Sequence, residues 1–207
     1  MKREEKNQLS RQKILENAMK EFGEQGYGLS SINTICSAGG ISKGILYHYF
    51  TDKDELYLAC VRETFEKLTE ALREEGLLEV KDIEDGMRRY FDVRLAFFRE
   101  HPYCHRIFCE TVTAPPQQLR EEIGGIKSGF DSLNITVFTS LLRNARLCAG
   151  TTLDEVVEIF RTYQDFAAVR YQMSVADGIA PEKYEQICER AVHVLLYGVI
   201  DRGGEAL

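Results

Sequence analysis

The amino-acid sequence predicts an all-α fold of about nine helices. Three observations predict it. Apolar side chains recur at spacings of three and four in one segment after another, these segments open on Ser, Thr or Asp and close on Gly or ahead of Pro, and no segment alternates apolar with polar residues as a half-buried strand does. No internal repeat is present. At 207 residues and 44% hydrophobic content, the chain suffices for one substantial core or for a small domain fused to a larger one.

Residues 10–25 carry Ile14, Leu15, Ala18 and Phe22 on one helical stripe, closed by Gly26. Ser30 and Ser31 supply N-cap chemistry for a short helix that turns Ile32, Ile35 and Cys36 inward and ends at Gly39-Gly40. Ser42 caps a third segment, KGILYHYF, which Thr51-Asp52 ends. Three helices with a glycine turn between the last two match the helix-turn-helix pattern. Asp52 and Glu55 have capping-box spacing and open a long fourth helix bearing Leu56, Val61, Phe65, Leu68 and Leu72. This helix joins a helix-turn-helix domain, residues 1–53, to a second helical domain, residues 54–207.

In that second domain, residues 82–100 form an amphipathic helix stopped before Pro102, and a shorter helix runs to Pro115-Pro116. Residues 117–148 are helical in pattern. Gly124, Gly125 and Gly129 predict a kink or loop within them, since each glycine costs about 1 kcal/mol in a helix interior. Thr152 to Glu155 repeats the capping-box spacing ahead of a helix to Asp177-Gly178, and Pro181 opens a last helix to about Ile200.

The formal net charge of −7 argues against indiscriminate nucleic-acid binding, yet it is unevenly spread. Residues 1–53 hold 8 basic and 6 acidic side chains, leaving 18 and 27 for the rest. Contact with DNA therefore belongs at the N-terminal end. Six cysteines, Cys36, Cys60, Cys104, Cys109, Cys148 and Cys188, follow no disulfide framework and read as reduced, mostly buried thiols. Neither a membrane-length apolar run nor a signal-peptide core is evident, so a soluble, cytoplasmic protein is expected.

Wound at about 100° per residue, Ser42–Phe50 places Leu46 and Phe50 on one face and Gly44 and His48 nearly opposite, with Ile45 and Tyr47 on the flanks. A glycine, a phenol, an imidazole and a neighbouring lysine are an unusual outward set for a merely solvated helix. The stretch from Ile14 to Leu56, above all GGISKGILYHYF followed by a lysine, resembles the DNA-binding domain of the tetracycline-repressor-like (TetR, AcrR-type) family almost position by position. Beyond residue 60 the resemblance is architectural.

The resemblance implies that Ser31 contacts a phosphate while also serving as a helix cap, and that Ser42, Lys43, Gly44 and Ile45 lie where base edges of the major groove come within reach. It further implies that Tyr47, His48 and Lys53 bind backbone phosphates. Tyr49 reads equally well as packing beside Leu46. Ile45 stands where the family often has a small hydroxyl residue, and Thr51-Asp52 replaces a frequently basic pair; both departures suggest apolar base contact and fewer phosphate contacts. The implied partners are a double-stranded operator, a second copy of the chain and a small-molecule effector.

For the effector, the resemblance implies a cavity among helices 4 to 8, with Phe65, Phe91, Phe98, Tyr103, Phe108, Phe138, Tyr163 and Phe166 as candidate lining and Arg94, Arg143 or Gln164 as orienting groups. An apolar or aromatic ligand would suit it. Phe160, Ala167, Tyr184, Ile187, Ala191 and Leu195 are the candidate faces of a four-helix dimer interface. No catalytic set, phosphate loop or cofactor motif is evident. Two alternatives stay open: a metal- or thiol-sensing regulator using His101, Cys104, His105 and Cys109, whose spacing matches no standard metal motif, and a helical adaptor that has lost DNA contact.

Overall fold

The computed structural model describes residues 3–143, 145–163 and 181–199. Gln164, Phe166 and Ala167, and the side chain of Tyr184, lie outside the described residues. Among those described, the regular structure is helical: α1 (Arg3–Leu29), α2 (Ile32–Gly39), α3 (Lys43–Tyr49), α4 (Lys53–Glu74), α5 (Ile83–Glu100), α6 (Pro102–Thr113), α7 (Arg120–Leu142), α8 (described over residues 153–163) and α9 (Pro181–Val199). Short 3₁₀ turns, Leu77–Glu79 and Gln117–Leu119, precede α5 and α7.

Local chemistry sets the boundaries. Gly26, at φ 73° and ψ 171°, breaks the α1 helix, a conformation an L side chain rarely adopts. Ser31 and Ser42 accept hydrogen bonds from the N–H groups of Asn33 and Ile45, each at 3.2 Å, and Gly40 closes α2 in the left-handed region, at φ 57°. At α4, Glu55 N–H donates to Asp52 Oδ1 (2.8 Å), while the Glu55 carboxylate reaches back to the N–H and hydroxyl of Thr51 rather than to Asp52. At α8 the box closes as its spacing predicts, with Glu155 N–H on Thr152 Oγ1 and the Glu155 carboxylate on Thr152 N–H.

The expected break in α7 does not occur. The helix runs unbroken through Gly124, Gly125 and Gly129, although it ends at Leu142 rather than near residue 148. These three glycines face solvent, where nothing fills the space a Cβ would occupy, while Ile123, Phe130, Val137, Phe138, Leu141 and Leu142 are buried. Burial at about 1.5–3 kcal/mol for a large apolar side chain outweighs a glycine penalty of about 1 kcal/mol each.

The chain divides into two compact units, Met1–Glu66 with Glu100–Lys127, and Lys67–Arg99 with Ser128–Leu207. In the first, the core is built from Ile14, Leu15, Ala18 and Phe22 of α1, Ile35, Leu46, Phe50, then Leu56, Tyr57 and Phe65 of α4 and Ile107 and Phe108 of α6. In the second it is built from Leu68, Leu72, Met87, Tyr90, Phe91, Phe97, Phe98, Phe138, Leu141, Val156 and Phe160. Among the described residues no helix is long and apolar enough to cross a membrane.

Candidate nucleic-acid interface

Leu46 and Phe50 fix the orientation of α3 by being buried, and the helix period then turns Lys43, Gly44, Ile45, Tyr47 and His48 to solvent. Ile45 is 48% and Tyr47 50% exposed. Large apolar and aromatic side chains held at that exposure beside a lysine and an imidazole form a surface that can enter a groove and contact both base edges and phosphates. His48 and Tyr49 meet edge to face, with ring centroids 5.0 Å apart. Tyr49 is half-buried, and its hydroxyl donates to Asn7 Oδ1 at 3.2 Å, so it belongs to a contact between α3 and α1.

Ser31 is half-buried, its hydroxyl acting as the α2 cap and its N–H donating to Glu21 Oε1 at 2.9 Å. Lys53 is held inside the unit: its Nζ donates to the Ser30 carbonyl at 2.9 Å and lies 4.5 Å from the centroid of the Tyr27 ring. A cation at the start of α4 opposes the helix dipole, and these two acceptors offset that cost within the protein itself.

Behind this surface lies a polar network that the sequence reading missed. Where Gly26 interrupts α1, the freed carbonyls of Glu24 and Gln25 accept from Arg106 of α6, at 2.7 and 3.2 Å. The N–H of Tyr27 donates to both oxygens of Glu110, at 3.1 and 3.0 Å, and Glu110 Oε2 also accepts from the buried Tyr57 hydroxyl at 3.0 Å. The Tyr27 hydroxyl donates to Asp54 and accepts from Gln118 Nε2 at 2.8 Å. Burial, followed by the hydrogen bond to Asp54, pushes the Tyr27 phenol up to about 12. Burial and the Glu110 carboxylate raise that of Tyr57 further, and burial raises the Cys60 thiol. Partners 83 residues apart in sequence leave no local pattern to read.

The candidate ligand-lining residues distribute over both units. In the first, Phe65 and Phe108 are buried with ring centroids 5.4 Å apart, whereas Tyr103 is exposed. In the second, Phe91, Phe98 and Phe138 are buried and the Tyr163 hydroxyl donates to the Cys188 carbonyl at 3.3 Å. Buried Arg94 donates to the Tyr90 hydroxyl at 3.0 Å, which donates in turn to Asn134 Oδ1 at 3.0 Å. A cleft of about 410 Å³ in this unit is lined by Glu75, Gly76, Glu79, Val80, Lys81, Asp82, Asp85 and Arg89, none of them candidate lining residues.

Phe160, expected on the face offered to a second copy, is instead 3% exposed and stacked on Phe138 of its own chain, centroids 3.9 Å apart. Helix register explains the correction: Val156 and Phe160 share the inward row, which leaves Ile159 outward. On α9, Ile187 is exposed and Ala191 and Leu195 are half-buried, with Val194 the further exposed apolar residue. The metal alternative finds no geometry either. Among the described residues no three His, Cys, Asp or Glu side chains gather around a common point; Cys109 Sγ and the His105 ring meet at 3.7 Å, both buried.

The family model for bacterial regulatory proteins of the tetR family matches residues 14–60. The transcriptional repressor AcnR of Corynebacterium glutamicum is 41% identical over 94 residues, which make up 44% of this chain and 50% of that protein. The chain thus matches about half the length of that repressor. The transcriptional regulator RutR of Escherichia coli is 22% identical over 193 residues, covering 91% of this chain and 90% of RutR. In fold, the chain is similar to the transcriptional regulator FadR of Bacillus subtilis, solved in complex with stearoyl-CoA, with a TM-score of 0.69 at 16% identity, over 90% of this chain and 98% of that one. Helix-turn-helix geometry at residues 32–49 and the matching family model place the N-terminal part: residues 14–60 are similar to the DNA-binding domain of the tetR family of bacterial regulatory proteins, in a chain whose all-α fold is shared along nearly its whole length with FadR.

Proposed function

We propose that the chain is a ligand-responsive transcription repressor, a homodimer that holds a pseudo-palindromic operator and releases it on binding a small, largely apolar or aromatic effector. The observation that carries this reading is the α3 face, where Lys43, Gly44, Ile45, Tyr47 and His48 are exposed on a helix anchored by buried Leu46 and Phe50. The identity to a named repressor, together with the family model matching residues 14–60, supports regulation and not catalysis as the activity.

In this mechanism α3 lies in the major groove, with Lys43, Gly44 and Ile45 at base edges and Tyr47 and His48 on phosphates. Ser31 and Ser42 add contacts from the two caps, and Lys53 exchanges the Ser30 carbonyl for a phosphate. Two copies set their α3 helices roughly 34 to 36 Å apart to meet successive major grooves. The exposed apolar residues Ile159, Ile187 and Val194 of α8 and α9 support a helical face for pairing. The stearoyl-CoA held by a protein of the same fold, and the many buried phenylalanines here, support an effector with a long apolar part. Such an effector acts only through its preference for the state that does not fit DNA, a coupling of about 1 to 3 kcal/mol.

The test is a titration of a fluorescent duplex from upstream of the protein's own gene, with unlabelled random duplex as competitor, followed by stearoyl-CoA and other apolar compounds. Selective binding that a bound compound reverses is the expected result. Equal, weak binding to both duplexes, unaffected by every compound the protein binds, contradicts the reading.

A further inference from the structure

The cationic charge of the DNA-binding region does not lie in the helix-turn-helix. Residues 14–53 hold three basic and four acidic side chains, whereas residues 1–13 hold five basic and two acidic ones. Within 14–53, Lys20 sits 4.0 Å from Glu24 and Lys53 donates to the Ser30 carbonyl, so among the described residues Lys43 is the one cation of that stretch that no intramolecular partner engages. A protein holds a polyanion by releasing condensed counterions, and one exposed lysine supplies little of that.

The first turns of α1 are fastened beside the recognition helix. Asn7 accepts from the hydroxyl of Tyr49, the last residue of α3, and the guanidinium of Arg11 lies 5.3 Å from the ring centroid of Phe50, its C-cap. Asn7 and Arg11 are one helical turn apart and both exposed. Lys13, two residues past Arg11, is turned about 200° away. The Phe50 ring fixes the Arg11 side chain while leaving its planar fork of donors, suited to a phosphate, at the end of the helix that enters the groove.

From this we infer that the Asn7–Arg11 turn of α1 is a further DNA-contacting strip, with Arg11 binding a backbone phosphate that flanks the base pairs read by α3. The inference rests on the repressor reading for the occupant and on charge and placement for the residues. Arg11 adds affinity on every duplex and selects no sequence.

Salt dependence tests it, because it counts phosphates. Wild type, R11Q, R11M, R11K and K13Q are titrated against a random 40-base-pair duplex over a range of NaCl concentrations, with thermal melts confirming that each is folded. The slope of log K against log[NaCl] should fall in magnitude by about 0.9 for R11Q and R11M, and be unchanged for K13Q and R11K. A folded R11Q with the wild-type slope overturns the inference and leaves the repressor reading intact. Should R11Q fail to fold, R11M and R11K carry the comparison: an R11M slope equal to wild type, or an R11K slope reduced by about 0.9, overturns it. Wild type that binds no duplex overturns the repressor reading itself.

Discussion

Oε2 of the Glu110 carboxylate accepts a hydrogen bond from the hydroxyl of Tyr57, a side chain wholly withdrawn from solvent, and both carboxylate oxygens cap the N–H of Tyr27 just past the Gly26 break. One carboxylate of α6 therefore satisfies both the end of α1 and the core-facing side of α4. Glu110→Ala leaves the buried Tyr57 hydroxyl without its acceptor, at a cost of about 1–3 kcal/mol, while Tyr57→Phe removes the donor along with the need for it and costs about 0.5–1.5 kcal/mol. In urea unfolding, the double variant should be less destabilised than the sum of the two single changes. Strict additivity would show that the pair contributes nothing to stability.

Two glycines on helices should respond in opposite directions to the same substitution. A Cβ at Gly23 of α1 would lie 2.6 Å from Tyr103 Cβ and 2.7 Å from its Cα, atoms that move only if α1 and α6 separate. Gly23→Ala should cost about 1–3 kcal/mol despite alanine's better helix propensity. Gly124 of α7 meets nothing, so Gly124→Ala should raise stability by up to about 1 kcal/mol. Thermal midpoints moving the same way for both would contradict the packing described.

Alkaline titration reads the Tyr27 hydrogen bond to Asp54. The phenol sits at about 12 in the folded chain, against about 10 when unfolded, so the folded state favours its neutral form. That stability is complete below pH 10 and is lost as pH rises toward 12. Unfolding free energies of wild type and Tyr27→Phe should converge over this window, with Tyr57 contributing equally to both. Parallel curves would show that Tyr27 feels no such environment.

What the sequence disclosed was local. Ser31, Ser42 and Gly40 set the ends of α2 and α3 because caps act within four residues of themselves, and the burial of Leu46 and Phe50 follows from period alone. Gly26 was read correctly as the end of a helical run, yet the helix begins at Arg3, well before the apolar stripe. The α7 glycines misled because a local propensity was set against burial that only the folded unit provides. The intramolecular partners of Lys53 and Glu110 were illegible for a related reason: Ser30 and Tyr27 are brought to them by packing. On α8 it is Phe160 that turns inward and Ile159 that turns outward, since periodicity places a stripe but does not say which of two apolar rows is buried.

The central claim is that α3 holds DNA through its exposed polar side chains, and the most direct measurement is a paired anisotropy titration of wild type and the Tyr47→Phe/His48→Ala variant on the duplex from upstream of the gene, at two salt concentrations. Both side chains are exposed, so the variant should fold as wild type does. Affinity should drop at least tenfold, about 1.4 kcal/mol, with a shallower salt dependence. A folded variant that binds with wild-type affinity at both salts would contradict the account.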